Sequence, residues 1–407
     1  MRAKSFALDA LIAALLAALL AAAGVYLSRL TGGLVPDHNT YFGADTDRVV
    51  ANLLDPNSNF GRSTVHPLVG AVCIAFRRLA YMHLPPRTAF DELAAANGAL
   101  FAVMLYGVVR CWNGARGIAA ASVVLAASSA SFVYWAGMPE THFLAGLTVL
   151  AIFMLVSLTP REPVLRMLHG GVCFALGCSL VLTNFVAWWL AEVDFGELLA
   201  RRPATFIADN ARRIPAWIAA GLAGLGILTI GAAAIDLLMP NPSQGRLLHV
   251  FGEAKFVTLG VASPLGSLNA LGLAGPNVPL AGLFDLVLVA LVLWAAWRLR
   301  GRALFIALFA LFGVAFHTIY SRNEAFIFAP DYAPAAFAAI ALALSGWRPR
   351  VAFVAIMVAA LGLGYLNLQG YRQELRSVAQ VSKPLEVYEL QRVERAQRLA
   401  LAPPPAI

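Results

Sequence analysis

Long apolar runs constrain this chain more than any other feature of its sequence. Residues 6–28 form the first run, and about 20 consecutive apolar residues are enough to cross a bilayer as a helix. Over the whole chain 60% of the residues are hydrophobic and 13% are charged, with a mean hydropathy of +0.74. Soluble domains are about 45–50% apolar and about 25% charged. The sequence therefore predicts an all-α, polytopic membrane protein.

The apolar runs predict about 11 membrane-spanning helices. Alternate turns between them are rich in Arg or Lys, which marks these turns as cytoplasmic by the positive-inside rule. Arg2 and Lys4 put the N-terminus of this multi-pass protein on the same side. The predicted spans are residues 6–28, 92–110, 117–136, 143–159, two helices within 168–198, 216–238, 279–297, 303–320, 333–346 and 351–368.

The segment 168–198 decides the topology of everything after it. It is long enough for one long helix or two short ones, and we predict two, with a break near Thr183 and Asn184. Two helices leave the arginine-rich segment 200–215 on the cytoplasmic side, where basic residues are favoured. A single helix would put that segment outside.

The spans and loops are expected to form one transmembrane domain, residues 1–368, with external loops at 31–90 and 239–278. Within the first loop, the apolar part of residues 65–84 is too short to cross a bilayer. We therefore expect a helix there that lies in the plane of the membrane.

The tail, residues 369–407, mixes basic and acidic side chains around a few apolar ones. This pattern predicts an amphipathic surface helix over about 370–400, followed by a disordered end.

The net charge of +8 is carried almost entirely by arginine. The chain lacks the basic stripe with interleaved aromatic residues that is typical of proteins that bind single-stranded nucleic acid. We therefore expect no nucleic-acid partner, and we interpret the arginines as markers of the cytoplasmic ends of spans.

The four cysteines show neither metal-ligand spacing nor a disulfide framework. They are interpreted as small apolar packing residues. No GxxxxGK[ST] phosphate-binding loop is present, which argues against ATP-driven transport by this chain alone.

Under the predicted topology, polar side chains gather on the external side of the membrane. Ionisable residues at membrane depth are costly and often functional, so we expect a site that several external loops build together. The candidate site residues in these loops are Asp45, Asp47, His66, Glu140, His142, Arg246, Arg322 and Glu324.

These residue types fit glycosyl transfer from a lipid-phosphate donor. Asp45 is the candidate base that deprotonates the acceptor nucleophile. Arg246 or Arg322 would bind the departing phosphate through the planar fork of donors that a guanidinium carries. Glu140 is interpreted as a second catalytic carboxylate, which orients the acceptor or shares a divalent cation with Asp45 or Asp47, because hard cations prefer oxygen ligands. The expected substrate contacts are Asp47, His66, His142, Arg246, Arg322 and Glu324.

Several of these residues also have a purely structural interpretation. Asp47 precedes an apolar stretch and fits a helix N-cap, and His66 stands before Pro67 at a helix start. Glu140 lies in the first turn of the fourth span, where a carboxylate is favoured by the helix dipole. His317 lies within a span, where a packing role is expected.

Short motifs and the order of the loops resemble the GT-C superfamily of membrane glycosyltransferases. The motifs are FGADTDR at 42–48, VHPL at 65–68 and MPETH at 138–142. The late segment SRNEAFIFAPDY at 321–332 is similar to an external-loop motif of bacterial members. The layout resembles the oligosaccharyltransferase and protein-mannosyltransferase type, with in-plane helices in a long first external loop.

By this resemblance Asp45 corresponds to the first acidic motif of the family and Glu140 to the second. The chain departs from the family at both places, since the first motif is not an Asp-Glu pair and the second is a single Glu rather than Asp-x-Glu. A metal site for Mg²⁺ or Mn²⁺ at Asp45 and Glu140 therefore stays open. The resemblance implies a polyprenyl-phosphate-linked sugar donor, an external site among membrane lipids, and an acceptor that the sequence does not specify.

Two other classes stay open. A transporter or flippase for a lipid-linked or anionic substrate would need polar residues near the bilayer midplane and broken helices, for which Asn184, Asp236 and His317 are the candidates. A non-catalytic partner in an envelope complex is the third.

The Asp45→Asn protein tests the assignment of the base. Since an amide cannot accept the proton of the acceptor, we expect transfer of radiolabelled sugar from a polyprenyl-phosphate donor to be much slower than in the wild-type protein. Transfer at the wild-type rate would contradict the assignment.

Overall fold

The structure is a computed structural model that describes most of the chain. The described residues are 2–37, 41, 46–55, 67–193, 195, 198, 200, 202–238, 271–320 and 326–401. Most of the second predicted loop therefore lies outside the described residues.

Helices make up almost all of the regular structure in these residues. They are α1 (Arg2–Leu30), α2 (Thr46–Leu54), α3 (Pro67–Ala75), α4 (Pro86–Cys111), α5 (Arg116–Ser128), α6 (Ala130–Val133), α7 (Thr141–Ser157), α8 (Pro163–Leu180), α9 (Val186–Glu192), α10 (Pro203–Leu238), α11 (Ala281–Arg298), α12 (Leu304–Tyr320), α13 (Ala329–Ser345), α14 (Pro349–Val378) and α15 (Leu385–Leu401). A π-helical turn, Phe76–Tyr81, continues α3, and 3-10 turns cover Leu182–Phe185, Gly301–Ala303 and Ala379–Val381. Two short strands, β1 (Leu34–Pro36) and β2 (Ser382–Pro384), pair antiparallel.

Among the described helices, six are long and apolar enough to cross a membrane, namely α1, α4, α8, α10, α11 and α14. Four more, α5, α7, α12 and α13, are apolar but shorter. The predicted class, a helical protein with several membrane-spanning helices, is confirmed. Fewer helices meet the length expected for a span than the 11 that the apolar runs predict.

Helix α13 lies at the centre of the helix bundle. Every residue from Ala329 to Ala343 is buried, and α13 packs against α5, α7, α11 and α12. Many of its residues are alanine, and small side chains let neighbouring backbones come close, which is how helices associate in a membrane. The first turn of α13 is therefore surrounded by the ends of other helices.

Helices α1 and α4 form a tight antiparallel pair. A Cβ atom on Gly24 would overlap the carbonyl oxygen of Ala94, and one on Gly98 would overlap the carbonyl oxygen of Leu20. Only glycine permits so close an approach of two backbones. The pair is therefore held by contact between main chains.

Ion pairs join both ends of this helix pair. At one end Asp9 binds the Nε atoms of Arg110, at 2.9 Å, and Arg116, at 2.8 Å. At the other end the Nε atom of Arg29 lies 2.8 Å from Asp91. We call the end with Arg110 and Arg116 the arginine face, and the end with Arg29 and Asp91, where the first loop begins, the loop face.

The chain folds back on itself after α8, as the sequence predicts. The 3-10 turn Leu182–Phe185 breaks the helix at the expected place, and a Cβ on Gly177 would overlap the backbone of Phe185. Helix α9 then returns, so that Glu192 lies 2.5 Å from Arg166 at the start of α8. The expectation of two full spans is wrong, because α9 has only 7 residues and a crossing helix needs about 20.

The third predicted span, 117–136, is also interrupted. Helix α5 ends at Ser128, and Ser129 is extended. The fully buried Asn367 donates from Nδ2 to the carbonyl oxygens of Ser128 and Leu273, at 2.8 and 2.9 Å. Its Oδ1 accepts from the amide of Gly275 at 3.0 Å. A side chain from α14 thus satisfies backbone groups at this break, as burial requires.

Two predicted boundaries are corrected. The span predicted at 216–238 belongs to a longer helix, because α10 already begins at Pro203, and proline suits the first position of a helix. The tail is not one helix over 370–400, because residues 382–384 pair as a strand with residues 34–36. Helix α14 runs on to Val378, and α15 follows the strand.

The tail is tied to the first loop. Lys383 Nζ lies 2.7 Å from Asp37, and the hydroxyl of Tyr81 donates to Glu389 at 3.2 Å. The predicted helix at 65–84 is present as α3 and its π-helical turn, from Pro67 to Tyr81. The tail therefore covers the loop face.

All four cysteines are free. Burial raises the pKa of the Cys73 thiol to about 11, so this thiol stays protonated and unreactive at neutral pH. The absence of a disulfide framework in the sequence agrees with these free thiols.

Substitution of Gly98 by alanine should destabilise the protein by about 1–3 kcal/mol, because the added Cβ overlaps the backbone of α1. Thermal unfolding of the purified protein in detergent, followed by circular dichroism, measures the effect. The matched control is Gly226→Ala in α10, whose Cβ would meet nothing within 4 Å. Equal melting temperatures for the two variants would contradict the role of backbone contact.

Candidate functional site

Buried polar side chains meet where α7, α12 and α13 end at the loop face. We call this group the buried cluster, and its members are between 1% and 7% exposed. The members are Glu140, His142, His317, Asp331 and Tyr332. Buried groups of this kind are expensive in a membrane protein and mark functional sites.

An aspartate and a histidine from different helices form the core of this cluster. Nδ1 of His142 in α7 lies 3.3 and 3.4 Å from the two carboxylate oxygens of Asp331 in α13. These distances are at the long end for a hydrogen bond, and catalytic contacts often shorten only when substrate is bound. A carboxylate at Nδ1 orients the imidazole.

Two glycines allow these helices to meet so closely. A Cβ on Gly146, one turn after His142, would overlap the carbonyl oxygen of Pro330. A Cβ on Gly313, one turn before His317, would overlap the ring of Tyr332. Residues four apart share a helix face, so each glycine brings the histidine of its own helix to the first turn of α13.

Aromatic rings hold the second histidine. His317 stacks on Phe328, with the ring centroids 4.4 Å apart, and on Tyr332, at 5.1 Å. The ring of Phe328 also meets His142 edge to face at 4.7 Å. The phenyl ring of Phe328 therefore contacts both imidazoles.

Glu140 has a structural role that the geometry shows directly. It is the N-cap of α7 and accepts hydrogen bonds from the amide and the hydroxyl of Thr141, at 2.8 and 2.9 Å. Its charge also acts on Asp331. Glu140 thus caps a helix and contributes negative potential to the buried cluster.

The first loop packs directly beside Glu140. Val49 and Leu53 of α2 line a small cavity together with Glu140. The hydroxyl of Tyr41 donates to the carbonyl oxygen of Tyr134 at 2.9 Å. The predicted approach of the first loop to the segment after the third span is therefore observed in these residues.

Asp47 lies near a different part of the structure, the tail helix α15. It lies in the first turn of α2, one residue inside the helix, where a carboxylate is favoured by the dipole. Burial and then the charge of Asp47 raise the pKa of the Tyr388 hydroxyl in α15 above its usual value. Asp47 therefore lies near the tail helix.

Five of the sequence-predicted site residues lie outside the described residues. They are Asp45, His66, Arg246, Arg322 and Glu324. Thr46, the next residue after Asp45 in the sequence, is fully buried at the start of α2.

The sequence left open a cation site at Asp45 and Glu140, of which only Glu140 lies in the described part of the chain. No group of three or more His, Cys, Asp or Glu side chains there could hold a metal ion.

The structure adds three residues that sequence reasoning did not assign to the site, namely Asp331, His317 and Tyr332. Asp331 follows Pro330 at the start of an apolar helix, which by itself predicts only a favourable helix-dipole contact. His317 is a single histidine at the end of an apolar run, for which packing is the simpler prediction. Only the contact between helices identifies them.

Comparison of the sequence with protein-family models and with curated proteins gave no match.

The capping role of Glu140 can be measured apart from any chemistry. Glu140→Ala should lower the free energy of unfolding by about 1 kcal/mol, since the cap is lost. Glu140→Gln keeps an oxygen that accepts from Thr141 and should stay near wild-type stability. Thermal unfolding in detergent compares the two, and equal destabilisation would mean that the negative charge, rather than the acceptor, stabilises α7.

Proposed function

We propose that this protein is a membrane glycosyltransferase of GT-C type, which transfers a sugar from a polyprenyl-phosphate-linked donor to an acceptor at the loop face. The bacterial inner membrane is the proposed location, with the loop face external and the arginine face and N-terminus cytoplasmic. The asymmetry of charge between the two faces supports this orientation.

The observation that carries the proposal is the His142–Asp331 pair beside Glu140. Three ionisable groups from two helices lie together under the first loop, at 1–7% exposure. A buried acid–base pair of this kind can position an acceptor beside a base at a site from which water is excluded. The pair lies at the ends of helices, so a substrate would reach it between the loops. Binding residues are commonly found on loops.

In the proposed reaction Asp45 takes the proton of the acceptor nucleophile. The nucleophile forms a bond to the anomeric carbon of the sugar, and the bond from that carbon to the phosphate oxygen breaks. The lipid phosphate leaves with the electron pair, and Arg246 or Arg322 binds it.

The buried cluster would position the acceptor. Asp331 contacts His142 at Nδ1, which fixes the orientation of the imidazole at the site. The negative charge of Glu140 acts on Asp331. A neutral hydroxyl or amide group is therefore favoured at this site over a second anion.

Transport of a lipid-linked or anionic substrate is the second candidate. It is favoured by the break after α8, where Asn184 is 3% exposed, because broken helices line the sites of many transporters. However, the break separates α8 from the short α9, which returns towards the arginine face, so it lies at the turn of a hairpin rather than within one helix. In sealed vesicles, movement of a labelled lipid-linked sugar without cleavage would support transport, and release of polyprenyl phosphate would support transfer.

Asp331→Asn should slow release of polyprenyl phosphate from a radiolabelled donor by about a hundredfold, the loss expected when a group that positions the substrate is displaced by about 1 Å. The purified protein is assayed in vesicles against a panel of polyprenyl-phosphate-linked sugars. The control is Asp209→Asn on α10, which removes one exposed carboxylate that pairs with Arg212. Wild-type release by Asp331→Asn, in a variant whose melting temperature is unchanged, would overturn the role of the buried cluster.

In the same assay, Glu140→Gln separates the capping role of Glu140 from a role in the release of polyprenyl phosphate. A stable variant that no longer releases polyprenyl phosphate assigns Glu140 to the site. A stable variant with wild-type release restricts Glu140 to its cap.

A further inference from the structure

A second polar site lies on the arginine face, away from the buried cluster. A cavity of about 470 Å³ is lined there by α8, α9, α10 and the turn before α8. This volume is within the range of about 300–1,000 Å³ that is typical of small-molecule sites.

The packing of α8 on α10 explains why the cavity forms. A Cβ on Gly170 would lie 3.0 Å from the Cβ of Ala220, and one on Gly171 would lie 3.0 Å from the Cβ of Ala223. Small residues therefore bring the two helices together at this level. The cavity begins at Gly170 and Ala220 and extends towards the start of α8, where larger side chains line it.

The open end of the cavity is positively charged. Three arginines, Arg161, Arg166 and Arg213, line it together with one carboxylate, Glu192. That carboxylate is 7% exposed and lies 2.5 Å from Arg166, while Arg213 donates to the backbone carbonyl oxygen of Glu192 at 3.0 Å. The lining thus carries two more positive than negative charges, and guanidinium groups suit phosphate recognition.

The surroundings of the cavity are suited to lipid. Trp188 and Trp217 line it, and tryptophan is enriched where membranes meet water. Beside it, Leu168 of α8 and Ile218 and Leu222 of α10 are 47%, 57% and 63% exposed. These apolar side chains would contact acyl chains on helices that are long enough to cross the membrane.

We infer that this cavity binds the phosphate head group of an acidic phospholipid, whose acyl chains lie along α8 and α10. The three arginines neutralise the phosphate, and the small residues at Gly170 and Ala220 leave room for the glycerol. Basic pockets between membrane helices recognise anionic lipid head groups in this way. The site is on the opposite face from the proposed glycosyltransferase centre, so it stands or falls independently of that function.

Arg161→Gln tests the inference with native mass spectrometry of the purified full chain in mixed micelles with phosphatidylglycerol. Affinity for phosphatidylglycerol should fall about fivefold, the contribution of one basic residue at an anionic membrane surface. The matched control is Arg212→Gln, which removes the same charge from the position next to Arg213, outside the cavity lining, and should bind as the wild type does.

Ala216→Trp tests the volume without changing charge, since Ala216 lines the cavity and is exposed. The larger side chain should occupy the cavity and displace phosphatidylglycerol. Phosphatidylcholine should bind the wild-type protein more weakly than phosphatidylglycerol does.

Equal phosphatidylglycerol binding by the wild type, Arg161→Gln and Ala216→Trp would overturn the inference. Inorganic phosphate distinguishes a soluble anion from a lipid. If phosphate alone binds the wild type and displaces phosphatidylglycerol, and Arg161→Gln loses that binding, the cavity takes a free anion. The lipid assignment would then be wrong.

Discussion

Close contact between helix backbones is the interaction on which the rest of this structure depends. Lipid tails are as apolar as leucine, so helices in a membrane associate through van der Waals packing rather than through the hydrophobic effect. Gly24 and Gly98 join α1 to α4, and alanines along α13 let several helices surround it. At the loop face, Gly146 and Gly313 use the same contact to bring two histidines against the first turn of α13.

This packing separates two kinds of electrostatic environment. Asp9 with Arg110 and Arg116 closes one end of the first helix pair, and Arg29 with Asp91 closes the other. The arginine face offers cations beside a cavity, whereas the loop face offers buried carboxylates and imidazoles beneath a loop that the tail covers. The proposed chemistry and the proposed lipid contact therefore need no shared residues, although one bundle of helices supports both.

Much of the topology could be predicted because it depends on local properties. Apolar length predicts helices, arginine marks one face, and the break near Thr183 and Asn184 follows from charge on both sides of it. The interruption at Ser128 and the strand at 382–384 could not be predicted in this way. Each depends on a distant partner, Asn367 in the first case and residues 34–36 in the second, and a local pattern contains no information about such a partner.

The sequence by itself determined the class of protein and the candidacy of Glu140 and His142, since composition and spacing carry these properties. Only the tertiary structure decided that Asp331 and His317 join them, and that Asp47 lies near the tail helix. The physical reason is that a buried cluster exists only where helices far apart in sequence meet. Small residues such as Gly146 set the distance between these helices, and their effect appears only when the partner backbone is present.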